Sequence, residues 1–167
     1  MFDKFFPDRY VASTYVIDFE GLYKEGVRGL IFDIDNTLVP HGAPADERAR
    51  ALFKRLKSIG FRCCLISNNQ KPRVEMFNKD IQVDYVYNAH KPSIRNYLKA
   101  MEIMGTDRDS TVFIGDQLFT DILGANRLGI QTVLVKPINP KEEIQIVLKR
   151  YLEKPVLYCY RKSLKKG

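Results

Sequence analysis

The sequence predicts a three-layer α/β fold, a central parallel sheet of five strands with helices on both faces, and three observations predict it. Five short runs are apolar throughout instead of alternating, the mark of strands buried on both sides. The segments between them carry apolar residues at helical spacing. The length, 167 residues, suits one domain, long enough to bury a full core without disulfides or structural zinc.

The elements follow in order. Gly29-Leu30-Ile31-Phe32-Asp33 reads as the first strand. Ala45 to Ile59 reads as an amphipathic helix with Ala49, Leu52, Phe53, Leu56 and Ile59 on one face, ended by Gly60. Arg62-Cys63-Cys64-Leu65-Ile66-Ser67 is the second strand, Pro72 to Asn78 a short helix, and Tyr85-Val86-Tyr87 the third strand. Pro92 opens a helix with Ile94, Tyr97, Leu98 and Met101 on one side. Thr111 to Asp116 is the fourth strand, followed by a helix through Ala125 to Leu128 that Gly129 stops. Thr132 to Val135 is the fifth strand. A last helix starts at Asn139-Pro140, an Asn cap with Pro in the first turn, and stops before Pro155. One domain over 1–167 is expected: a core of about 27–135, an N-terminal extension over 1–26, and a basic C-terminal helix and tail over 136–167.

Charge is unevenly placed. Residues 1–135 hold 18 basic and 17 acidic side chains, whereas 136–167 hold 9 basic and 3 acidic. Such a tail suggests an anionic partner, either lipid head groups, RNA or an acidic protein. No apolar run approaches a membrane span, and the N-terminus lacks the order of a signal peptide. Three cysteines do not make a secreted disulfide framework; adjacent Cys63 and Cys64 read as small buried hydrophobes of a reducing compartment. A cytoplasmic protein is expected. Two histidines, His41 and His90, do not suggest a histidine metal site.

In open parallel sheets ligands bind at the carboxyl ends of the strands, and the polar residues gather there. The first strand ends in Asp33-Ile34-Asp35-Asn36-Thr37, the second in Ser67-Asn68-Asn69 and the fourth in Gly115-Asp116, with Asp121 five residues on. Lys91 follows the third strand. Asp33 and Asp35, two residues apart on an extended chain, point the same way. Asp116 and Asp121 arrive from another strand end. Four carboxylates at one rim call for a hard divalent cation, best Mg²⁺, completed by substrate phosphate. Ser67 and Lys91 supply a hydroxyl and a fixed positive charge for phosphate oxygens. Taken singly, Asp-Asn-Thr is a turn, Ser-Asn-Asn a loop and Gly-Asp a strand exit; four such sites, each after a predicted strand, make a phosphoryl-transfer site. No Gly-x-x-x-x-Gly-Lys loop is present, so a P-loop nucleotide site is not expected.

Asp33-Ile34-Asp35-Asn36-Thr37, Ser67, Lys91-Pro92 and Gly115-Asp116-Gln117-Leu118-Phe119-Thr120-Asp121 resemble the four motifs of the haloacid dehalogenase (HAD) superfamily, over roughly Val27 to Val135. The forms Asp-Asn-Thr-Leu, Ser-Asn-Asn and Gly-Asp-Gln-Leu-Phe-Thr-Asp resemble subclass IIIA phosphatases, most closely the YqeG family, which is similar to mitochondrial phosphatidylglycerophosphate phosphatases. The opening, Phe6-Pro7-Asp8 and the segment from Tyr15 to Phe19, resembles that family's N-terminus. The resemblance implies a phosphatase in which Asp33 is the nucleophile and Asp35 the general acid and base. It implies Mg²⁺ held by the Asp33 carboxylate, the Asp35 carbonyl and Asp116. Asp121 would hold a metal-bound water or orient a neighbour. Ser67 would bind the phosphoryl group and Lys91 neutralise charge. Thr37 would brace its loop; Asn36, Asn68 and Asn69 would contact phosphate or stabilise turns.

Spacing bears on the substrate. Neither the segment between Asp35 and Ser67 nor that between Ser67 and Lys91 is long enough for a cap domain. An open site suits a phosphate carried on something large: a membrane lipid, a protein or a nucleic-acid end. Tyr151, Tyr158 and Tyr160 interleave with basic residues of the tail, which suits an anionic membrane surface and also suits RNA. Phe2, Phe5 and Phe6 are a small membrane contact or the core of the N-terminal extension. The leading expectation is peripheral action on phosphatidylglycerophosphate at the inner membrane surface. Phosphoproteins, nucleic-acid ends and small phosphometabolites are the alternative substrates, and a non-catalytic HAD-fold binding module is the rival class. The sequence does not set the oligomeric state.

Overall fold

The computed structural model describes residues 2–139 and 144–166. Its centre is one parallel sheet of six strands: β1 (Arg9–Val11), β2 (Gly29–Phe32), β3 (Arg62–Ile66), β4 (Asp84–Val86), β5 (Thr111–Gly115) and β6 (Gln131–Val135), in the order β1-β6-β5-β2-β3-β4. Six helices accompany it: α1 (Phe19–Lys24), α2 (Glu47–Ile59), α3 (Lys71–Asn78), α4 (Arg95–Met104), α5 (Leu123–Leu128) and α6 (Ile144–Leu164).

The sheet's two faces explain why its central strands are apolar throughout. On β2, Leu30 and Phe32 enter a core with Leu52, Phe53 and Leu56 of α2 and Val74 and Phe77 of α3. Ile31, between them, enters the opposite core with Tyr97, Ala100 and Met104 of α4 and Ala125 and Leu128 of α5. Cys64 shares that second core, and burial pushes its thiol up to about 12. The cysteines are packing residues here.

The helix ends follow their caps. Asp46 accepts a hydrogen bond from the Ala49 N–H at the start of α2, and Gly60 closes it with φ of +117°, a conformation that favours glycine. Gly129 closes α5 in the same way, with φ of +77°.

Three expectations need correction. The sheet has a sixth strand, β1, pairing in parallel with β6 through Arg9↔Val133 to Val11↔Val135. It is short, half-buried and lies at an edge, so it carries no apolar run that periodicity could detect. Pro92 does not open α4. The Lys91–Pro92 peptide is cis and lies in a turn closed by the Ser93 N–H on the His90 carbonyl at 2.9 Å, so helix geometry begins only at Arg95. The last helix does not stop before Pro155; α6 contains it and runs to Leu164. Pro155 removes one helical hydrogen bond, but tertiary packing carries the helix past it. Val156 and Tyr160 are buried, and Val156 joins Leu118, Ile122 and Leu134 in a third cluster. Phe2, Phe5 and Phe6 pack on that cluster. The expected Asn139-Pro140 start falls partly outside the described residues.

Candidate active site

Because β5 pairs with β2 and β2 with β3, the ends of three adjacent strands share one rim. Phe32 is level with Ile114 and with Leu65. The next positions bring Asp33, Gly115-Asp116 and Ser67 together.

Asp33, Asp116 and Asp121 each place a carboxylate oxygen within 4.8 Å of the others, and all three are buried. Lys91 enters from the loop after β4. Its ammonium donates to Asp33 Oδ1 at 2.8 Å and to Asp121 Oδ1 at 2.6 Å. Asp121 Oδ2 accepts from the main-chain N–H groups of Asp116 and Gln117, each at 3.2 Å. This approach needs Gly115: a Cβ there would lie 2.4 Å from Asp121 Oδ2. The Tyr97 hydroxyl, 3.1 Å from the Thr120 and Asp121 carbonyls, fixes the wide turn Leu118–Ile122 from below. Thr37 spans the gap on the other side, donating to Asp116 Oδ1 at 3.1 Å with Asp33 Oδ2 3.5 Å away.

Burial sets the electrostatics. It pushes the Asp33 carboxyl well above the usual carboxylate range; Lys91 opposes this, and Asp121 and Asp116 reinforce it. Burial and the Asp121 charge raise Asp116 from 3.8 to about 6, against the pull of Arg150. Burial disfavours the Lys91 charge, but Asp121 and Asp33 outweigh it and hold the ammonium above its ordinary range.

Asp35 is separate. The chain leaves the extended form after β2, with the Thr37 and Leu38 N–H groups bonding back to the Ile34 carbonyl at 3.2 and 2.9 Å. The two carboxylates are therefore held by different sets of partners. Asp35 accepts from Asn69 Nδ2 at 2.6 Å, from the Gly42 N–H at 2.7 Å and from Arg73 Nη2 at 2.8 Å; His41 Nδ1 lies 3.8 Å away. The Ser67 hydroxyl oxygen is buried and accepts from the Asn69 main chain at 3.0 Å and side chain at 3.1 Å, which leaves its own hydrogen to donate. Asn68 turns toward the neighbouring loop. Its Oδ1 accepts from the Lys91 N–H at 2.8 Å, and its Nδ2 lies 3.5 Å from the Lys91 carbonyl. Asn36 and Thr37 are buried, and Asn36 Oδ1 accepts from the Asn139 N–H at 3.1 Å.

Sequence reading missed three residues. Arg73 sits in the first turn of α3, where the helix dipole disfavours a cation; a cation there is a signal for a local anion, here Asp35. Arg150 of α6 bonds both the Asp116 carbonyl and Asp116 Oδ2. Glu153 accepts from the Leu118 N–H at 3.0 Å and lies 3.4 Å from Arg150.

A donor set made only of carboxylate oxygens, gathered in one buried pocket, fits a hard divalent cation such as Mg²⁺. Among the described residues, the carboxylates Asp33, Asp116, Asp121 and Glu153 are directly bonded by two cations, Lys91 and Arg150. Among the described residues no cap domain is inserted at this rim. Only the 40–46 loop, α2 and β3 lie between Asp35 and Ser67, and only α3 and β4 between Ser67 and Lys91.

A parallel sheet with acidic strand ends, an internal lysine and no cap defines a capless HAD-type hydrolase. The HAD-hydrolase-like family model matches residues 88–138. The chain is 35% identical over 165 residues to the protein named Probable phosphatase YqeG of Bacillus subtilis, covering 98% of this chain and 96% of that one. It is 28% identical to phosphatidylglycerophosphate phosphatase 1, chloroplastic/mitochondrial, of Arabidopsis thaliana, over 96% of this chain and 49% of that protein. An uncharacterized protein from Corynebacterium glutamicum shares the fold with a TM-score of 0.57 at 20% identity, over 74% of this chain and 95% of that one. The chain belongs to the YqeG family of HAD phosphatases and is a phosphoric monoester hydrolase.

Proposed function

We propose that the protein is a Mg²⁺-dependent phosphatase working through an aspartyl-phosphate on Asp33, and that its substrate is a phosphomonoester on a large carrier, foremost phosphatidylglycerophosphate at an anionic membrane surface. The observation that supports the mechanism best is Asp33 itself, a buried carboxylate held by Lys91 at 2.8 Å beside Asp116 and Asp121. A structural ion pair needs one anion per cation; among the described residues this cluster gathers more carboxylates than its bonded cations neutralise.

Asp33, Asp116 and Asp121 would hold the cation, Asp121 directly or through water, and the Asp35 main-chain carbonyl would complete the protein's share. When bound, Mg²⁺ neutralises the phosphate and lowers the barrier to attack by an anion. The Asp33 carboxylate forms a bond to phosphorus as the ester oxygen leaves. Asp35 gives that oxygen a proton. Asp35 then takes a proton from the water that hydrolyses the acyl phosphate, which frees Asp33 and releases inorganic phosphate. Lys91 balances the charge shared by Asp33 and the phosphoryl group, and the Ser67 hydroxyl donates to a phosphoryl oxygen. Asn68 acts mainly by bracing the Lys91 loop.

The open rim and α6 support a membrane substrate. Leu148, Tyr151, Leu152 and Tyr158 are exposed on α6, and so are Lys149, Lys154, Arg161 and Lys162. Glu153, its acid among the residues from 148 onward, is buried. Apolar and cationic side chains together suit an anionic interface, each cation adding about 1 kcal/mol. Leu148, Tyr151 and Leu152, spaced i, i+3 and i+4, share one exposed face of the helix whose Arg150 reaches Asp116 from another side. No helix among the described residues is long and apolar enough to cross a membrane, and the contact proposed is peripheral.

The test offers purified protein an aryl phosphate and phosphatidylglycerophosphate in mixed micelles, with chelator and with restored Mg²⁺. Hydrolysis of both, lost with chelator, is expected. Efficient turnover of a soluble metabolite, a phosphopeptide or a nucleic-acid end with poor lipid turnover would remove the lipid and keep the mechanism. Full activity in chelator would remove the metal.

A further inference from the structure

We infer that Arg150 of the C-terminal helix is a positioning residue of the metal site, one that aims the Asp116 carboxylate at Asp33. The inference rests on the metal-dependent reading above. Its basis is how the two oxygens of Asp116 are divided. Oδ1 accepts from the Thr37 hydroxyl at 3.1 Å, and that hydroxyl also lies 3.5 Å from Asp33 Oδ2. Oδ1 therefore marks the side on which Asp116 faces Asp33. Oδ2 is bonded by Arg150, whose second nitrogen bonds the main-chain carbonyl of the same Asp116. One planar guanidinium thus ties the carboxylate to its own backbone, which fixes the rotation of the side chain as a single-point contact would not.

A tie that only docked α6 would not need this arrangement. Glu153 already serves docking by accepting from the Leu118 N–H at 3.0 Å, and Val156 and Tyr160 bury the next turns of the helix. The Asp116 side chain is fully buried, so without Arg150 its Oδ2 loses a donor that water does not readily replace. The carboxylate then turns to find another partner, and Oδ1 leaves the position facing Asp33. Glu153, 3.4 Å from Arg150, holds the guanidinium in turn.

The test measures binding of Mn²⁺, as the probe ion, by calorimetry and by its paramagnetic resonance signal, with no substrate present. Arg150→Ala is expected to bind Mn²⁺ about 10- to 100-fold more weakly than the wild-type chain, the usual cost of losing a residue that orients a metal ligand. Arg150→Lys keeps the charge and loses the fork, so its affinity falls as well. Added guanidinium ion restores much of the affinity of Arg150→Ala and leaves the wild type unchanged. Unchanged or tighter Mn²⁺ binding by folded Arg150→Ala, or by Arg150→Lys if the alanine variant fails to fold, would overturn the inference and leave the phosphatase reading intact. A wild-type chain that bound no Mn²⁺ would remove the metal site and this inference with it.

Discussion

Asp33 and Asp35 leave the same strand end two residues apart and reach opposite environments. Asp33 turns inward to Lys91 and the two carboxylates from β5 and its loop, under a burial that raises its proton affinity. Asp35 turns outward to donors, Asn69, Gly42 and Arg73, none of which adds a carboxylate. Two chemically identical groups thus acquire different work. On the proposed mechanism the inner one is the nucleophile beside the cation site. The outer one, less buried, is the proposed acid and base for the leaving group and water. The division comes from the tight loop after β2, not from residue type.

Substitutions at the two positions break this comparison most directly. Asp33→Asn should lower turnover at least about ten-thousandfold, since no nucleophile remains; the assay needs mass spectrometry to show that the amide has not reverted to the acid. Asp35→Asn should cost about a hundred- to ten-thousandfold in turnover, with Mn²⁺ affinity kept within a few-fold, because its carboxylate lies outside the acidic cluster. Equal losses of metal affinity at both positions would erase the distinction.

Lys91→Met tests the inner environment alone. Removing its ammonium leaves Asp33 and Asp121 buried without their shared cation, which should cost about 3–5 kcal/mol in denaturant unfolding of the metal-free protein. Arg73→Ala tests the outer one. It frees Asp35 from one of its donors, and turnover should fall about tenfold while Mn²⁺ affinity and unfolding change little.

The smallest effect is pH-dependent. Asp116 is raised from 3.8 to about 6, first by burial and then by Asp121. A carboxyl raised on folding contributes stability that is fully present below its unfolded value and is lost as pH rises through its folded value. The metal-free melting temperature of the wild type should therefore fall, relative to that of Asp116→Asn, between about pH 4 and pH 7. Mg²⁺, which needs the ionised form, should stabilise the wild type more at pH 7 than at pH 5. A flat difference across that range would show that Asp116 does not titrate there.

The sequence disclosed the parts of this site that local chemistry encodes. Asp33, Ser67 and Asp116 lie at the ends of apolar strands, where polar residues stand out, and Asp121 joins Asp33 and Asp116 from the turn after β5. Asp-Asn-Thr was legible as a turn, but the partners that hold Asp35 there, Gly42, Asn69 and Arg73, come from other segments and were not. Arg150 was hidden for another reason: it is one cation in a basic segment, and only its docking separates it from its exposed neighbours Lys149 and Lys154. Edge strand β1 and the turns of α6 beyond Pro155 owe their form to tertiary packing, which overrides local propensity.

The pairing of β2 with β5 also sets an order in time. Thr37 and Asp116, which meet across the cluster, stand 79 residues apart in the chain. A long loop must be closed and β5 paired with β2 before the acidic pocket exists. A chain emerging from synthesis can build β2, α2 and β3 from local contacts and still lack any place for a divalent ion. At the proposed metal site, capture of the ion would be a late event in folding and would stabilise only molecules whose sheet is already in register, so Mg²⁺ should slow unfolding far more than it speeds folding.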